Sequence, residues 1–327
     1  MSCLLVQPIA DAGISLLERN GVSVVRASSH DMETVSREIA DARAVITRDA
    51  GLSREAMEAA PNLLVVGNHG VGVDPVDLDY ATEHGIVVVN SPNANSVAVA
   101  EHAISLMLAV NRRLNDADDA ARNRDFGFKY RVPMRELSRK RVGIVGYGAI
   151  GMLTASMLSR GFMAEVLVYR RSGDLEAVRA DGFTPCESLR ELVERSDIVS
   201  FHVPLTEETQ GLVSREVLEW FRPDSVLINT SRAGIIDEPA LAEALERGKI
   251  AGAGLDVFSL ETAGKNVTIL DAPNTVITPH IGGSTKEALE RTAVAVCRQV
   301  LDALNGRRPD HIVNPAAWDR RRGEGSD

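Results

Sequence analysis

Cysteine is scarce in this chain of 327 residues: Cys3, Cys186 and Cys297 lie far apart, with no C-x-x-C pair. Such spacing builds neither a disulfide framework nor a thiolate metal site, so no metal is expected and a reduced, cytoplasmic setting fits. Positive charge is also short, with 36 Lys and Arg against 46 Asp and Glu and a formal net charge of −10. A nucleic-acid surface needs a basic patch, so nucleic acid is not an expected partner. No apolar run approaches the roughly 18 residues of a membrane-spanning helix, and no membrane partner is expected. The opening Met1-Ser2-Cys3-Leu4-Leu5-Val6 is too short for a signal peptide and reads as a first strand. Nor is there an internal repeat. What remains is an ordinary soluble composition, 44% hydrophobic and 25% charged, in a chain long enough for two domains of about 100–200 residues each.

Apolar runs at Leu4–Val6, Val22–Val25, Ala44–Thr47, Leu63–Val66 and Ile86–Val89 alternate with helical patterns. Alternation of this kind predicts βαβ units and a parallel sheet. A loop over Asn90–Ser96, rich in Asn, Ser and Pro, precedes one long helical stretch from about Val97 to Asn123, and the alternation resumes from Arg141 to about Ile281. In that stretch Glu101 and His102 open a helix with apolar Ile104, Leu106, Met107, Leu108 and Val110, and their expected role is structural. The pattern predicts an α/β chain of two doubly wound parallel-sheet domains with a cleft between them. The first, flavodoxin-like, comprises 1–96 and 286–318, rejoined through a final helix over Lys286–Asn305; a Rossmann domain, 97–285, is inserted in it. The polar tail 319–327 is expected to fray, its arginines being solvated charge.

Arg141-Val142-Gly143-Ile144-Val145 reads as a short buried strand, followed by Gly146-Tyr147-Gly148-Ala149-Ile150-Gly151 and a helix with apolar Ile150, Leu153, Met157 and Leu158. A G-x-G-x-x-G alone is often an ordinary turn; between a strand and a helix it is a dinucleotide fingerprint. Its first glycine makes the tight turn, its second admits backbone to the pyrophosphate, and its third lets helix pack on strand. Unpaired N–H groups at the helix start then face the phosphates.

Glu165-Val166-Leu167-Val168-Tyr169 is the next strand, and its end is where an acidic residue would bind the ribose 2′-hydroxyl of NAD. Arg170-Arg171-Ser172 stand there instead. Two guanidiniums and a hydroxyl suit a 2′-phosphate, so NADP(H) is favoured over NAD(H). The competing reading is solvated loop charge.

Further along come Arg232, Glu261 and His280. Reduction of a 2-oxo acid places negative charge on the carbonyl oxygen as hydride arrives. A fixed cation, a proton donor and a carboxylate that keeps the donor protonated answer that need. Asp256 ends the apolar run Ala251–Leu255, at the carboxyl edge where ligands of parallel sheets bind, and is read as a cofactor contact to the nicotinamide carboxamide. A turn-forming Asp is the alternative.

These segments, with Gly70-Val71-Gly72-Val73-Asp74, Asn90-Ser91-Pro92, Val99-Ala100-Glu101, His202-Val203-Pro204-Leu205-Thr206, Asn229-Thr230-Ser231-Arg232, Leu255-Asp256-Val257-Phe258 and Thr278-Pro279-His280-Ile281-Gly282-Gly283, make the chain resemble the D-isomer-specific 2-hydroxyacid dehydrogenases over nearly its whole length. That family includes phosphoglycerate dehydrogenases, glyoxylate/hydroxypyruvate reductases and formate dehydrogenases. The resemblance implies that Arg232 binds the substrate carboxylate and carbonyl, that Glu261 and His280 form the proton-transfer pair, and that His69 and the backbone N–H groups of Gly70, Val71 and Gly72 hold the carboxylate. It also implies dinucleotide contacts from His202, Pro204, Thr209, Thr230, Ser231 and Gly282, a homodimer built partly from the segment after Val97, and hinge closure that keeps water from the hydride path. Two departures stand out: Thr262 replaces the usual proline after Glu261, and Arg170 replaces the usual Asp.

Arg48, at the end of the strand Ala44–Thr47, and Lys129, in the irregular segment before the glycine-loop strand, occupy places similar to the phosphate-binding basic residues of phosphoglycerate dehydrogenases. Asn68 stands where those enzymes often carry another basic residue. The favoured substrate is a three-carbon 2-oxo acid with a second anionic group: phosphohydroxypyruvate, phosphonopyruvate or sulfopyruvate. Glyoxylate or hydroxypyruvate is the alternative. A reading of another class, a dinucleotide-sensing corepressor-like binding protein, also stays open.

Overall fold

The computed structural model describes residues 1–171, 175–259 and 268–321. Ser172, Glu261 and Thr262 lie outside the described residues, as does 322–327 of the expected tail. Two compact units form, Met1–Asn95 with the chain from Ser284 on, and Ser96–Gly283.

In the first unit the strands are β1 (Ser2–Leu5), β2 (Ser23–Arg26), β3 (Ala44–Thr47), β4 (Val65–Asn68) and β5 (Val87–Val89), all parallel, in the order β2-β1-β3-β4-β5. This is the flavodoxin-like winding. Consecutive strand residues point to opposite faces, and each face has its own core. Leu5, Ile46 and Val65 join the long helix Lys286–Leu304 through Val296 and Val300, while Leu4, Val45 and Val66 pack with Val35, Met57 and Leu63. Burial on both faces explains why β1, β3, β4 and β5 are largely apolar, whereas β2, at the sheet edge, is mostly exposed and carries Ser23 and Arg26. Leu63, expected to open β4, instead sits in the preceding turn, its N–H bonded to Ala60 O.

The second unit contains β6 (Arg141–Val145), β7 (Glu165–Tyr169), β8 (Thr184–Pro185), β9 (Ile198–Phe201), β10 (Val226–Asn229), β11 (Gly252–Leu255) and β12 (Thr275–Ile277). They pair in parallel in the order β12-β11-β10-β9-β6-β7-β8, a Rossmann winding extended by one strand. Several helices in both units start where a short polar side chain accepts an otherwise orphaned N–H: Ser53, Asp77, Ser188, Ser214, Asp237 and Thr285 all do so. Among the described residues no helix is long and apolar enough to cross a membrane.

Two local expectations need correction. The stretch from Val97 to Asn123 is two helices, Ser96–Asn111 and Leu114–Arg122, parted at Arg113 with φ 49°. Apolar periodicity stops at Val110; the second helix buries no residue, so no core carries one axis through. Lys129 lies in a single helical turn, Phe128–Arg131, not in irregular chain; Val132 N–H bonds back to Phe128 O.

Candidate active site

All strands of the second sheet run in parallel, so Gly146, Arg170, His202, Thr230 and Asp256 all emerge at its carboxyl edge. The glycine loop fits a dinucleotide on geometry. Gly146 has φ +94°, and a Cβ there would lie 2.5 Å from His202 O. A Cβ on Gly151 would meet Gly146 O at 2.1 Å, whereas one on Gly148 would find no atom within 4 Å. The first and third glycines are thus required by the fold, and the second leaves open space. Helix Ala149–Phe162 begins at Gly148 with no side-chain cap, which leaves its first N–H groups to a ligand. The Tyr147 side chain is committed elsewhere: its buried ring meets Phe183 edge-on and its hydroxyl donates to Asp181 at 2.6 Å. Burial and that carboxylate push its phenol pKa above the usual range.

After β7, Arg170 is half-buried and Arg171 exposed, with Arg171 Nη1 3.5 Å from Glu208 Oε2. The loop after β9 is tied by Thr209, whose hydroxyl donates to Pro204 O at 2.6 Å and accepts Thr206 N–H at 2.8 Å. Thr209 therefore serves the loop's own shape. His202 lies 2.9 Å from Ser200 Oγ, and burial lowers its pKa to about 4, so the ring is neutral near pH 7.

Asn229 knots the turn that carries Arg232. Its Oδ1 accepts from Ser231 N (3.0 Å) and Ser231 Oγ (2.6 Å), and its Nδ2 donates to Arg232 O at 2.9 Å. Ser231 is thus spent on the turn, while Arg232 Nη1 donates to Ser231 O at 2.8 Å. The Thr230 hydroxyl is buried with no partner among the described residues.

His280 is exposed and held at φ 55°, a left-handed conformation costly for a side chain with a Cβ. Its N–H donates to Asp256 O at 2.8 Å. The Asp256 carboxylate accepts Thr278 Oγ1 (2.6 Å) and the N–H groups of Ile281 and Gly282 (both 2.8 Å). His102 Nε2 closes the network, 2.9 Å from Thr278 Oγ1 and 3.2 Å from Asp256 Oδ1. Burial alone would raise the Asp256 pKa, but bonds from His102, Thr278, Gly282 and Ile281 hold it below the usual carboxylate value. Asp256 is 1% exposed. Asp256 and the Gly282 N–H thus fasten the His280 turn. Sequence reasoning placed His102 in its helix but missed this contact, which joins residues 176 positions apart.

In the first unit Arg48 and His69 follow β3 and β4, whose last residues Thr47 and Asn68 are partners. Burial, aided by the Arg48 charge, lowers the His69 pKa to about 4. The Arg48 guanidinium donates to Pro8 O at 3.3 Å, and Gln7 Oε1 accepts the Arg48 N–H at 3.1 Å. Asn68 Nδ2 donates to Gly72 O and Asn90 Nδ2 to Val71 O, both at 2.7 Å. The Gly70 N–H, expected to hold carboxylate, donates to Asn68 O at 2.9 Å. Lys129 belongs to the second unit, exposed, with Nζ 5.1 Å from the Tyr130 ring centre.

Residues 104–282 match the family model of the D-isomer specific 2-hydroxyacid dehydrogenase NAD binding domain. The chain is 33% identical over 315 residues to a D-3-phosphoglycerate dehydrogenase of Archaeoglobus fulgidus, covering 96% of this chain but 59% of that one. It is 38% identical over 316 residues to a glyoxylate reductase of Thermofilum pendens, covering 94% and 92%. This chain thus spans less than two thirds of that phosphoglycerate dehydrogenase and nearly all of the glyoxylate reductase. Among solved structures, an NADPH-dependent glyoxylate/hydroxypyruvate reductase of Sinorhizobium meliloti, in complex with NADP and malonate, superposes with a TM-score of 0.84 at 30% identity over 99% of each chain. Matches of this extent, on a Rossmann sheet with its glycine loop, show that the chain belongs to the D-isomer specific 2-hydroxyacid dehydrogenase family.

Proposed function

We propose that the chain is a 2-oxoacid reductase, interconverting a small 2-oxo acid and its D-2-hydroxy acid with NADP(H) preferred over NAD(H). The observation that carries this reading is one carboxyl edge that bears the glycine cradle, Arg232 and a His280 whose backbone is clamped by Asp256. In that role unit Ser96–Gly283 is the dinucleotide-binding domain and the other unit the substrate domain. A bound nicotinamide supplies or accepts the hydride. Arg232 binds the carboxylate and faces the charge that develops on the carbonyl oxygen, which is worth most where water is excluded. His280 gives that oxygen its proton, and Glu261, outside the described residues, keeps the imidazole charged. Arg170 and Arg171 take the 2′-phosphate.

For the substrate, Arg48 favours a three-carbon acid with a second anionic group, such as phosphohydroxypyruvate, phosphonopyruvate or sulfopyruvate. Because His69 is neutral, Arg48 carries the charge there alone of the two. Glyoxylate or hydroxypyruvate is the second reading, favoured by the length match to the glyoxylate reductase. The test is oxidation of NADPH and NADH, followed by absorbance, against a panel of these acids. Turnover fastest with NADPH and a doubly anionic acid is expected. Better turnover of glyoxylate would move the assignment to the second reading, and tight NADPH binding without turnover of any acid would favour a dinucleotide sensor.

A further inference from the structure

Arg170 stands directly after β7, where an acidic residue would serve a ribose diol, yet the loop after β9 brings a carboxylate to the neighbouring Arg171. Glu208, in the loop after β9, lies 3.5 Å from Arg171 Nη1. In the sheet β6 stands between β9 and β7, so the pair spans the strand that carries the glycine loop. We infer that Glu208 is a specificity-determining residue that limits the preference for the 2′-phosphorylated dinucleotide; the inference rests on Arg170 and Arg171 being the 2′-phosphate site.

Glu208 is prearranged for this. Thr206 Oγ1 donates to its Oε2 at 2.7 Å, and Thr209 ties Thr206 and Pro204 into one loop. Chiefly through the Thr206 hydroxyl, and then its own backbone N–H and Arg171, its carboxyl is held below the usual range and is ionised near pH 7. Both side chains are 62% exposed, so the pair is weak and a ligand phosphate can displace the carboxylate. Displaced or not, Glu208 repels the 2′-phosphate dianion and competes for Arg171. Toward the unphosphorylated ribose the same carboxylate is an acceptor for the 2′-hydroxyl. Both effects narrow the gap between the two dinucleotides.

The experiment measures dissociation constants of NADPH and NADH by fluorescence titration for the wild type, Glu208→Gln, Glu208→Ala and Arg171→Ala, at low and high salt. Each Glu208 variant should raise the preference for NADPH over NADH by roughly 3- to 10-fold, an increase that shrinks as salt rises. Arg171→Ala should weaken NADPH and leave NADH nearly unchanged. If Arg171→Ala acts so but the Glu208 variants leave the preference unchanged or lower it, Glu208 merely steadies Arg171 and the inference alone falls. Unchanged NADPH affinity in Arg171→Ala would remove the 2′-phosphate site and the inference with it.

Discussion

His280 and Arg48 stand for two kinds of residue-scale claim, one about a reacting proton and one about a fixed charge. Replacing His280 by Ala removes the proton donor and leaves the glycine loop alone. Steady-state kinetics should show kcat reduced by about 10²–10⁴, with NADPH affinity within about twofold of wild type. Wild-type turnover in that variant would take His280 out of the mechanism. For Arg48, a charged hydrogen bond contributes about 1.5–3 kcal/mol, or roughly 10- to 150-fold. Arg48→Ala should therefore raise KM for phosphohydroxypyruvate by that order and barely change KM for glyoxylate; equal effects on both would discard the second-anion reading. At this scale the candidate residues were legible in the sequence, because the glycine loop, Arg232 and His280 sit in contiguous segments of distinctive composition. The hydrogen-bond partners of Asp256, Ser231 and Thr209 were not. Each hydrogen-bonds within its own unit, and a polar side chain at a strand end reads the same whether it faces a ligand or a neighbouring loop.

Among the elements, the strand-loop-helix from β6 through Ala149–Phe162 separates folding from binding within one motif. Gly151→Ala would set a Cβ 2.1 Å from Gly146 O, while Gly148→Ala meets no atom within 4 Å. Thermal denaturation should show Gly151→Ala strongly destabilised and Gly148→Ala close to wild type. In dinucleotide titrations the Gly148 variant should nevertheless bind at least tenfold more weakly, since its methyl group occupies the space a phosphate would need. If Gly148→Ala binds NADPH normally, the loop does not cradle the pyrophosphate. Strand positions were readable where burial is two-sided: β3, β6 and β7 coincide with the apolar runs that predict them. Where apolar residues serve a turn, as at Leu63, or where a helical pattern outlasts its core, as beyond Val110, the boundaries moved.

At the scale of the whole molecule, exposed apolar side chains and buried imidazoles each lead to a prediction. Leu114, Phe126 and Tyr130 are 57%, 72% and 83% exposed, in a segment that buries little of itself. A homodimer covering them should sediment at about twice 35.2 kDa, and Phe126→Asp with Tyr130→Asp should shift it to the monomer; an unaltered dimer would place the interface elsewhere. Stability should also depend on acid. His69 and His202 have folded pKa values lowered from 6.5 to about 4, so between those values the unfolded chain binds protons that the folded one refuses. Their contribution is whole above about pH 6.5 and is lost as pH falls toward 4, on the order of a few kcal/mol in total. Urea midpoints should accordingly drop from pH 7 to pH 5, and His69→Gln should lessen the drop. Equal midpoints at the two pH values would mean that these rings are not buried and neutral.

By itself the sequence determined the class of fold, the cradle for a dinucleotide and the family, because these rest on periodicity and on short contiguous segments whose backbone needs are local. Only the tertiary structure decided that Asp256 and His102 clamp the turn of His280, that Asn229 shapes the turn of Arg232, and that Glu208 confronts Arg171. The His102 and Glu208 contacts join residues on different elements brought together by parallel crossovers. A local pattern carries no record of which loop ends beside which, so hydrogen-bond partners across the sheet edge emerge only when the strands are ordered.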